Sequence, residues 1–317
     1  MKIAVLFPGQ GSQYLGMGQE FVKENAESGA LMAMAEAACE IPLTTLCTDG
    51  PMEELTRAAN LQPAITITNL ICWQHFRQAL GDSAKISFVA GHSLGEYSAL
   101  CAAGVIGVED TVRLVAKRGA LMEREGIKNP GGMRAVLGLD IKTLEALIDG
   151  YKGEGVVTAA NHNTPEQIVI SGSIPGLDGV SRLAEEKGAK VIPLNVSVAN
   201  HSPLVAEAIP DFTDFMADME FKVPAIPVYF NVSASVENDP AHIKKMMAMQ
   251  IGSRVRWCEI IEAMLADGVD TFVEVGPKTV LKGMMKKIVP KATTINALQC
   301  DSPATLKACL EVIRKEL

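Results

Sequence analysis

The pentapeptide Gly91-His92-Ser93-Leu94-Gly95 stands between a short apolar run, Ile86–Ala90, and a helix-compatible stretch that begins at Leu94. This is the G-x-S-x-G pattern in the strand–turn–helix context that a nucleophilic serine needs. The turn is so tight that a Cβ on either flank would collide with the neighbouring strand or helix, hence a glycine on each side. The serine is pushed above the sheet at a helix N-terminus, where backbone N–H groups and the helix dipole favour a developing oxyanion. A serine hydroxyl is inert at neutral pH until a base takes its proton. Five histidines are available. His92 adjoins Ser93, and neighbouring positions at a strand end point to opposite faces, so it is a poor base. His75, within a helical stretch, and His242, after the turn at Asp239-Pro240, read as surface residues. His162 in Asn161-His162-Asn163 and His201 in Asn200-His201-Ser202-Pro203 sit in polar loops after apolar strands. The residues alone do not choose between those two.

Two further features could serve the same chemistry. Gly9-Gln10-Gly11-Ser12-Gln13 follows the first apolar run. It is not a dinucleotide fingerprint, because Tyr14 stands where the third glycine of G-x-G-x-x-G belongs, and the chain has no G-x-x-x-x-G-K-[ST] phosphate loop. What remains is a flexible backbone loop at a strand end, suited to supplying an N–H to an oxyanion hole. Lys117-Arg118-Gly119 falls on the helix after the elbow helix, where an arginine could grip a carboxylate through its planar fork. Arg113, Arg124 and Arg134 compete for that role, and spacing does not decide.

The elements that must hold these residues are legible from the apolar pattern. Lys2–Phe7 predicts a buried strand, Glu20–Cys39 a helical stretch, and Pro63–Leu80 a helix with Ile65, Asn69, Cys72 and Phe76 on one face. Ile86–Ala90 is a second strand. Helices are expected over Leu94–Ala103, and over Val108–Glu125 with its cap around Glu109-Asp110. After the punctuation of Asn129-Pro130-Gly131-Gly132 the order changes. Met133–Leu139 reads as a strand, Ile141–Ile148 as a helix capped by Asp140, and Val156–Asn161 and Gln167–Ser171 as strands about a Thr164-Pro165 turn. Pro175–Lys187 then reads as a helix and Ala189–Leu194 as a closing strand. That β-α-β-β-α-β order is the ferredoxin-like split unit. The expectation is therefore an α/β chain: a large hydrolase-like domain with a parallel sheet, residues 1–128 and 198–317, and a small inserted ferredoxin-like α+β domain, residues 129–197. Thr271–Val275 is a further buried strand of the large one.

Composition agrees with two packed units. The 317 residues, 48% of them hydrophobic, exceed what a single core usually holds and leave ample apolar surface for folding. A net charge of −8 argues against nucleic acid and anionic membrane surfaces as partners. No run approaches the roughly 18 apolar residues of a membrane span, and Ile3–Phe7 is too short for a signal segment, so a cytoplasmic chain is expected. Seven scattered cysteines without a C-x-x-C support neither a disulfide framework nor a zinc site. With aromatics at only 5%, the core must be filled by small and aliphatic side chains, which suits helices lying on a parallel sheet.

Together, Phe7-Pro8-Gly9-Gln10-Gly11-Ser12-Gln13, Gly91-His92-Ser93-Leu94-Gly95-Glu96 and Lys117-Arg118-Gly119 resemble the malonyl-CoA:acyl carrier protein transacylase family. So do Asn200-His201-Ser202-Pro203, Gln250 before Val255-Arg256-Trp257, and Glu274-Val275-Gly276-Pro277, in the family's order over nearly the whole chain. The resemblance implies a hydrolase-like domain with a ferredoxin-like one and a ping-pong transfer. Ser93 would take the malonyl group from malonyl-CoA and pass it to the phosphopantetheine thiol of acyl carrier protein, with His201 as general base. The main-chain carbonyl of Gln250 would orient His201, so no triad carboxylate is needed. The backbone N–H groups of Gln10 and Leu94 would form the oxyanion hole, and Arg118, with Gln10, would bind the substrate. It implies no bound cofactor, the coenzyme A thioester entering as substrate.

Three positions depart from the family pattern. Asn200 stands before the histidine where relatives often carry phenylalanine or serine, a position associated with malonyl versus methylmalonyl choice. Arg134 falls where small residues are usual, either adding charge near the cleft or facing solvent. Gly276-Pro277-Lys278-Thr279 lacks the glycine that often follows the proline. Rival readings are a serine thioesterase or hydrolase, a stand-alone acyltransferase serving polyketide carriers, and a non-enzymatic carrier-binding module. Lys282, Lys286, Lys287 and Lys291 form one candidate patch for an acidic carrier, with an ordinary solvated helix face as the alternative.

Overall fold

Ile3-Ala4-Val5-Leu6-Phe7 is apolar at every position, a pattern that suits only a strand covered on both faces. The computed structural model describes residues 1–196 and 198–316. Among them it places nine strands: β1 (Ile3–Phe7), β2 (Ile86–Gly91), β3 (Gly132–Leu137), β4 (Val157–Thr164), β5 (Gln167–Gly172), β6 (Lys190–Pro193), β7 (Val228–Tyr229), β8 (Thr271–Val275) and β9 (Asn296–Cys300). A five-stranded sheet runs β7-β2-β1-β8-β9 with every pairing parallel. Along β1 the side chains alternate between two cores. Ile3, Val5 and Phe7 join the helices Ala58–Leu80 and Val108–Lys128 on one face. Ala4 and Leu6 meet Trp257–Ala266 and Val280–Ile288 on the other.

The second sheet is antiparallel throughout, in the order β4-β5-β3-β6, which is the split β-α-β arrangement. Val136, Ile168 and Ile170 pack under the helices Ile141–Gly150 and Ile174–Glu186 through Leu144, Leu177 and Val180. Its β4 edge is docked on the segment before the Trp257 helix. His162 N–H donates to Val255 O (2.9 Å), Val255 N–H to Ala160 O (2.8 Å), and Arg254 Nε to Ala159 O (2.9 Å). The mixed α/β class, with a parallel sheet and a separate small antiparallel one, is as expected. The expected ranges 129–197 and 198–317 end on Ser197 and Leu317, which lie outside the described residues.

Several element limits differ from expectation for local reasons. Glu20–Cys39 is two helices, Gln19–Glu24 and Ala26–Cys39, because Asn25 is extended and its side chain caps Glu27 N and Ser28 N. The helix expected from Pro63 begins at Ala58, with Pro63 inside it. Its first turn sits on Gly119, where a Cβ would come 2.3 Å from Ala58 O, and Glu123 accepts from Ala59 N, so packing outweighs the bond the proline cannot make. The next helix runs Val108–Lys128; Gly107 precedes it without a side-chain cap, and Glu109 and Asp110 lie inside the first turn. There they complement the helix dipole rather than cap it. β4 extends to Thr164, so His162 lies within a strand and not in a loop.

Candidate active site

The elbow is built by steric exclusion. Ser93 has φ 50°, a left-handed backbone that is uncommon for a residue with a side chain. A Cβ on Gly91 would lie 1.9 Å from Gly95 C, and one on Gly95 would lie 2.1 Å from Phe7 O. The flanking glycines therefore let the strand end, the elbow helix and β1 touch. Gly9 makes the same accommodation for the Gln10 loop, since a Cβ there would lie 2.5 Å from His92 O. Asn69 Nδ2 donates to Pro8 O (3.0 Å), and Ser12 Oγ to Gly9 O (2.7 Å), which fixes that loop against the elbow. Leu94 N belongs to the first turn of the elbow helix, among the N–H groups for which helix geometry provides no intrahelical acceptor.

His201 arrives from a segment 108 residues away, and its Nε2 lies 2.7 Å from Ser93 Oγ. Its Nδ1 is 3.0 Å from Gln250 O, and its own backbone N–H donates to Ile251 O (3.1 Å). A carbonyl only accepts, so Nδ1 carries the proton and Nε2 is left to accept from the serine hydroxyl. Burial, and after it the positive charge of Arg118, pull the imidazole pKa down to about 3. The ring is neutral at any ordinary pH, so the lone pair of Nε2 is free to face the hydroxyl.

Arg118 is 1% exposed and reaches the same point. Its Nη2 lies 3.3 Å from Ser93 Oγ and 2.9 Å from Gln250 Oε1, and its Nη1 is 2.9 Å from Gln62 Oε1. Its guanidinium also lies 5.5 Å from the centroid of the Tyr97 ring. These oxygen partners are neutral, Nε is buried without a partner, and burial lowers its pKa. A desolvated cation satisfied only by neutral oxygens leaves a place for an anionic group next to the serine.

The structure also sorts the competing residues. Arg113 pairs with Asp110, Arg124 with Glu125 and Asp211, and Arg134 on β3 with Asp178 and Ser181 of the helix Ile174–Glu186, at the surface of the small unit, so of the two alternatives for Arg134 it is the solvent-facing one that fits. His162 is buried with Nδ1 3.0 Å from Glu259 Oε2, and His242 is exposed beside Glu237. His75 lies at the surface but only half-exposed, bonding Ser28 Oγ (2.8 Å) and stacking on Phe21. His92 is half-buried and spends Nε2 on Asn163 Oδ1 (2.8 Å). Asn200 is 8% exposed, and its Oδ1 is without a partner.

Reading the sequence missed the residues that hold this centre. Asn231, just after β7, accepts from Ser93 N (2.7 Å) and donates to Gly91 O (2.7 Å). Gln62 braces Arg118, and Glu96 lies fully buried beneath the elbow. Glu96 stood in the elbow motif Gly91-His92-Ser93-Leu94-Gly95-Glu96 but was given no role there; Asn231 and Gln62 gave no signal, since each is an amide in an apolar run. Gln250 supplies more than its carbonyl: its side-chain Nε2 donates to Ser93 O (2.8 Å) and Glu96 Oε2 (2.7 Å).

A serine–histidine pair on a strand–helix elbow, the serine partly exposed and the histidine buried, with an adjacent glycine loop and an arginine beside the hydroxyl, defines the class of serine-centred acyl-transfer folds. The chain belongs to the family described as Acyl transferase domain, which matches residues 5–311. Within that family it is similar to the malonyl CoA-acyl carrier protein transacylase of Bacillus subtilis strain 168, at 40% identity over 99% of this chain and 98% of the relative. Among solved structures it superposes on an acyl-carrier-protein-S-malonyltransferase from Bartonella henselae with a TM-score of 0.93, at 36% identity, covering 99% of this chain and 100% of the other. It matches equally, TM-score 0.93 at 33% identity over 98% and 100%, a malonyl-transacylase solved in complex with its type II PKS acyl-carrier protein. Among the described residues no helix is long and apolar enough to cross a membrane.

Proposed function

We propose that this chain moves a malonyl group from malonyl-CoA to the phosphopantetheine thiol of an acyl carrier protein through a malonyl ester on Ser93. His201 Nε2 takes the Ser93 proton as Oγ attacks the thioester carbonyl. The resulting oxyanion is met by the backbone N–H groups of Leu94 and Gln10. As the C–S bond breaks, His201 returns the proton to the departing CoA sulfur. The carrier thiol then gives its proton to His201, attacks the ester, and the proton goes back to Ser93 Oγ. Coenzyme A enters as the thioester substrate, and no cofactor takes part in these steps.

The observation that carries the malonyl reading is Arg118. Its unpartnered Nε and its Nη2, which faces Ser93, form one edge of the guanidinium, the edge that takes a carboxylate side-on. A thioesterase has no use for that cation, whereas a malonyl chain brings the missing anion. The type II PKS carrier bound to one relative supports the same chemistry with a polyketide carrier as the second reading. Lys286, Lys287 and Lys291 are exposed at the end of the Val280–Ile288 helix, and Lys278 Nζ reaches Gly11 O (3.3 Å). Lys278, beside the Gln10 loop, is where an acidic carrier would be met, whereas the other three lie at or beyond the far end of that helix, which runs back toward the start of β9. The reading includes residues 129–197 acting as a small domain over the site, and a cytoplasmic location.

The test is intact-mass analysis after mixing with malonyl-CoA alone. A malonyl adduct on Ser93, lost on adding carrier protein with malonyl-carrier formed, is the expected result. Release of free malonate without an adduct would point to a hydrolase.

A further inference from the structure

Ser93 is held by two amide side chains from distant parts of the chain, and both of those residues end on one carboxylate. Asn231 takes Ser93 N–H and Gly91 O with its side chain, while its backbone N–H donates to Glu96 Oε1 (2.6 Å). Gln250 takes Ser93 O with Nε2, which also donates to Glu96 Oε2 (2.7 Å). Each bond in this chain has only one possible direction. A guanidinium carries donors and no acceptor, so Gln250 must turn Oε1 toward Arg118, and Nε2 must then find acceptors. A carboxylate meets that need at one oxygen and accepts from Asn231 at the other.

We propose that Glu96 is a positioning residue for the transfer. By accepting from Gln250 and Asn231 at once, it fixes the amide orientation of Gln250, the aim of Arg118, and the left-handed backbone of Ser93. It touches neither the substrate nor the reacting atoms. Its place in the fold accounts for a buried carboxylate that is not part of any serine–histidine–acid triad: here the acid braces the nucleophile's turn and the arginine, while a carbonyl orients the histidine. A left-handed serine costs free energy and persists only where its surroundings over-determine it, and Glu96 joins the two clamps that do so.

Glu96→Gln is the informative change because size is kept and polarity is not. An amide in that place sets one N–H group against a donor, either Asn231 N or Gln250 Nε2. If Gln250 flips to relieve it, its own N–H groups face Arg118 and the bond to Ser93 O is lost. The inference rests on the Ser93 ester, so the readout is the single-turnover rate of Ser93 acylation by malonyl-CoA and by acetyl-CoA. Expected for a folded Glu96→Gln protein is a loss of about tenfold to a hundredfold with malonyl-CoA. The loss with acetyl-CoA should be smaller, so that malonyl preference falls about fivefold or more. In a cycle with Gln250→Met, most of that effect on preference should vanish, since the hydrogen bonds that link Glu96 to the aim of Arg118 run through Gln250. If Glu96→Gln does not fold, Glu96→Asp replaces it: its shorter carboxylate reaches one donor but not both, and the same loss of preference is expected. Equal losses for the two acyl groups, or additivity with Gln250→Met, would overturn the role. A wild-type protein that forms no adduct would instead strike the ester reading and leave Glu96 aside.

Discussion

Replacing Arg118 by methionine separates the charge at the site from the volume that carries it. In the folded chain the guanidinium is buried, its oxygen partners are Gln62 Oε1, Gln250 Oε1 and Ser93 Oγ, and Nε has no partner. Removing it abolishes the desolvation of a cation, which costs several kcal/mol, but strands two amide oxygens at about 1–3 kcal/mol each. These terms nearly cancel, so Tm should move by only a few degrees. Function should not cancel. A carboxylate held side-on by a guanidinium receives two charge-assisted bonds, each worth about 1.5–3 kcal/mol, and even their lower sum of about 3 kcal/mol is a hundredfold in kcat/KM. Acetyl-CoA brings no carboxylate and meets a methionine instead of an unmatched cation, so its kcat/KM should hold or rise. The assay is transfer from malonyl-CoA and from acetyl-CoA to a carrier protein, measured in parallel with the thermal midpoint. A folded Arg118→Met protein that keeps its preference for malonyl within about threefold, against the hundredfold expected, would refute the reasoning.

Three other outcomes are expected. His201→Gln should lower the rate of Ser93 acylation by about 10²–10⁴-fold, read by intact mass at timed intervals, while leaving the fold in place. The same histidine ties stability to pH. It stays neutral in the folded chain down to about pH 3 but takes up a proton below about 6.5 when unfolded. Its contribution is present above 6.5 and is lost as pH falls toward 3, at up to about 1.4 kcal/mol per unit. Wild type should therefore lose stability against His201→Gln on acidification through that window, as denaturant titrations at several pH values would reveal; parallel curves would contradict the buried neutral ring. Gly95→Ala places a Cβ 2.1 Å from Phe7 O and 2.9 Å from Pro8 O. Backbone must move, so a destabilisation of about 1–3 kcal/mol should accompany a fall in acylation rate as the Gln10 loop shifts, and calorimetry with single-turnover kinetics would show both.

Much of the site was legible in local pattern. Gly91-His92-Ser93-Leu94-Gly95 needs two glycines because the turn itself excludes a Cβ, and that exclusion is written in adjacent residues. β1 announced its burial through five consecutive apolar positions, and the β-α-β-β-α-β order of the middle segment led to the split antiparallel sheet. Where one residue's local chemistry competed with packing, pattern misled: Pro63 reads as a helix start, yet the helix begins a turn earlier because Gly119 lets it seat. His162 reads as a loop residue because its asparagine neighbours look like a turn, yet it is a strand residue held by Val255.

The choice among histidines and arginines could not come from spacing, and only the resemblance to known relatives made it beforehand. Ser93 and His201 are 108 residues apart, and what brings Nε2 within 2.7 Å of Oγ is Gln250 O behind the ring and Ile251 O on its backbone. The sequence by itself determined the elbow, the strands and the residue types able to act. Tertiary structure alone decided which imidazole meets the serine, which guanidinium is left wanting an anion, what Glu96 does beneath the elbow, and that Asn231 belongs to the site at all. Those properties arise from desolvation and from hydrogen bonds between segments far apart in the chain, and neither exists until the sheets and helices have packed.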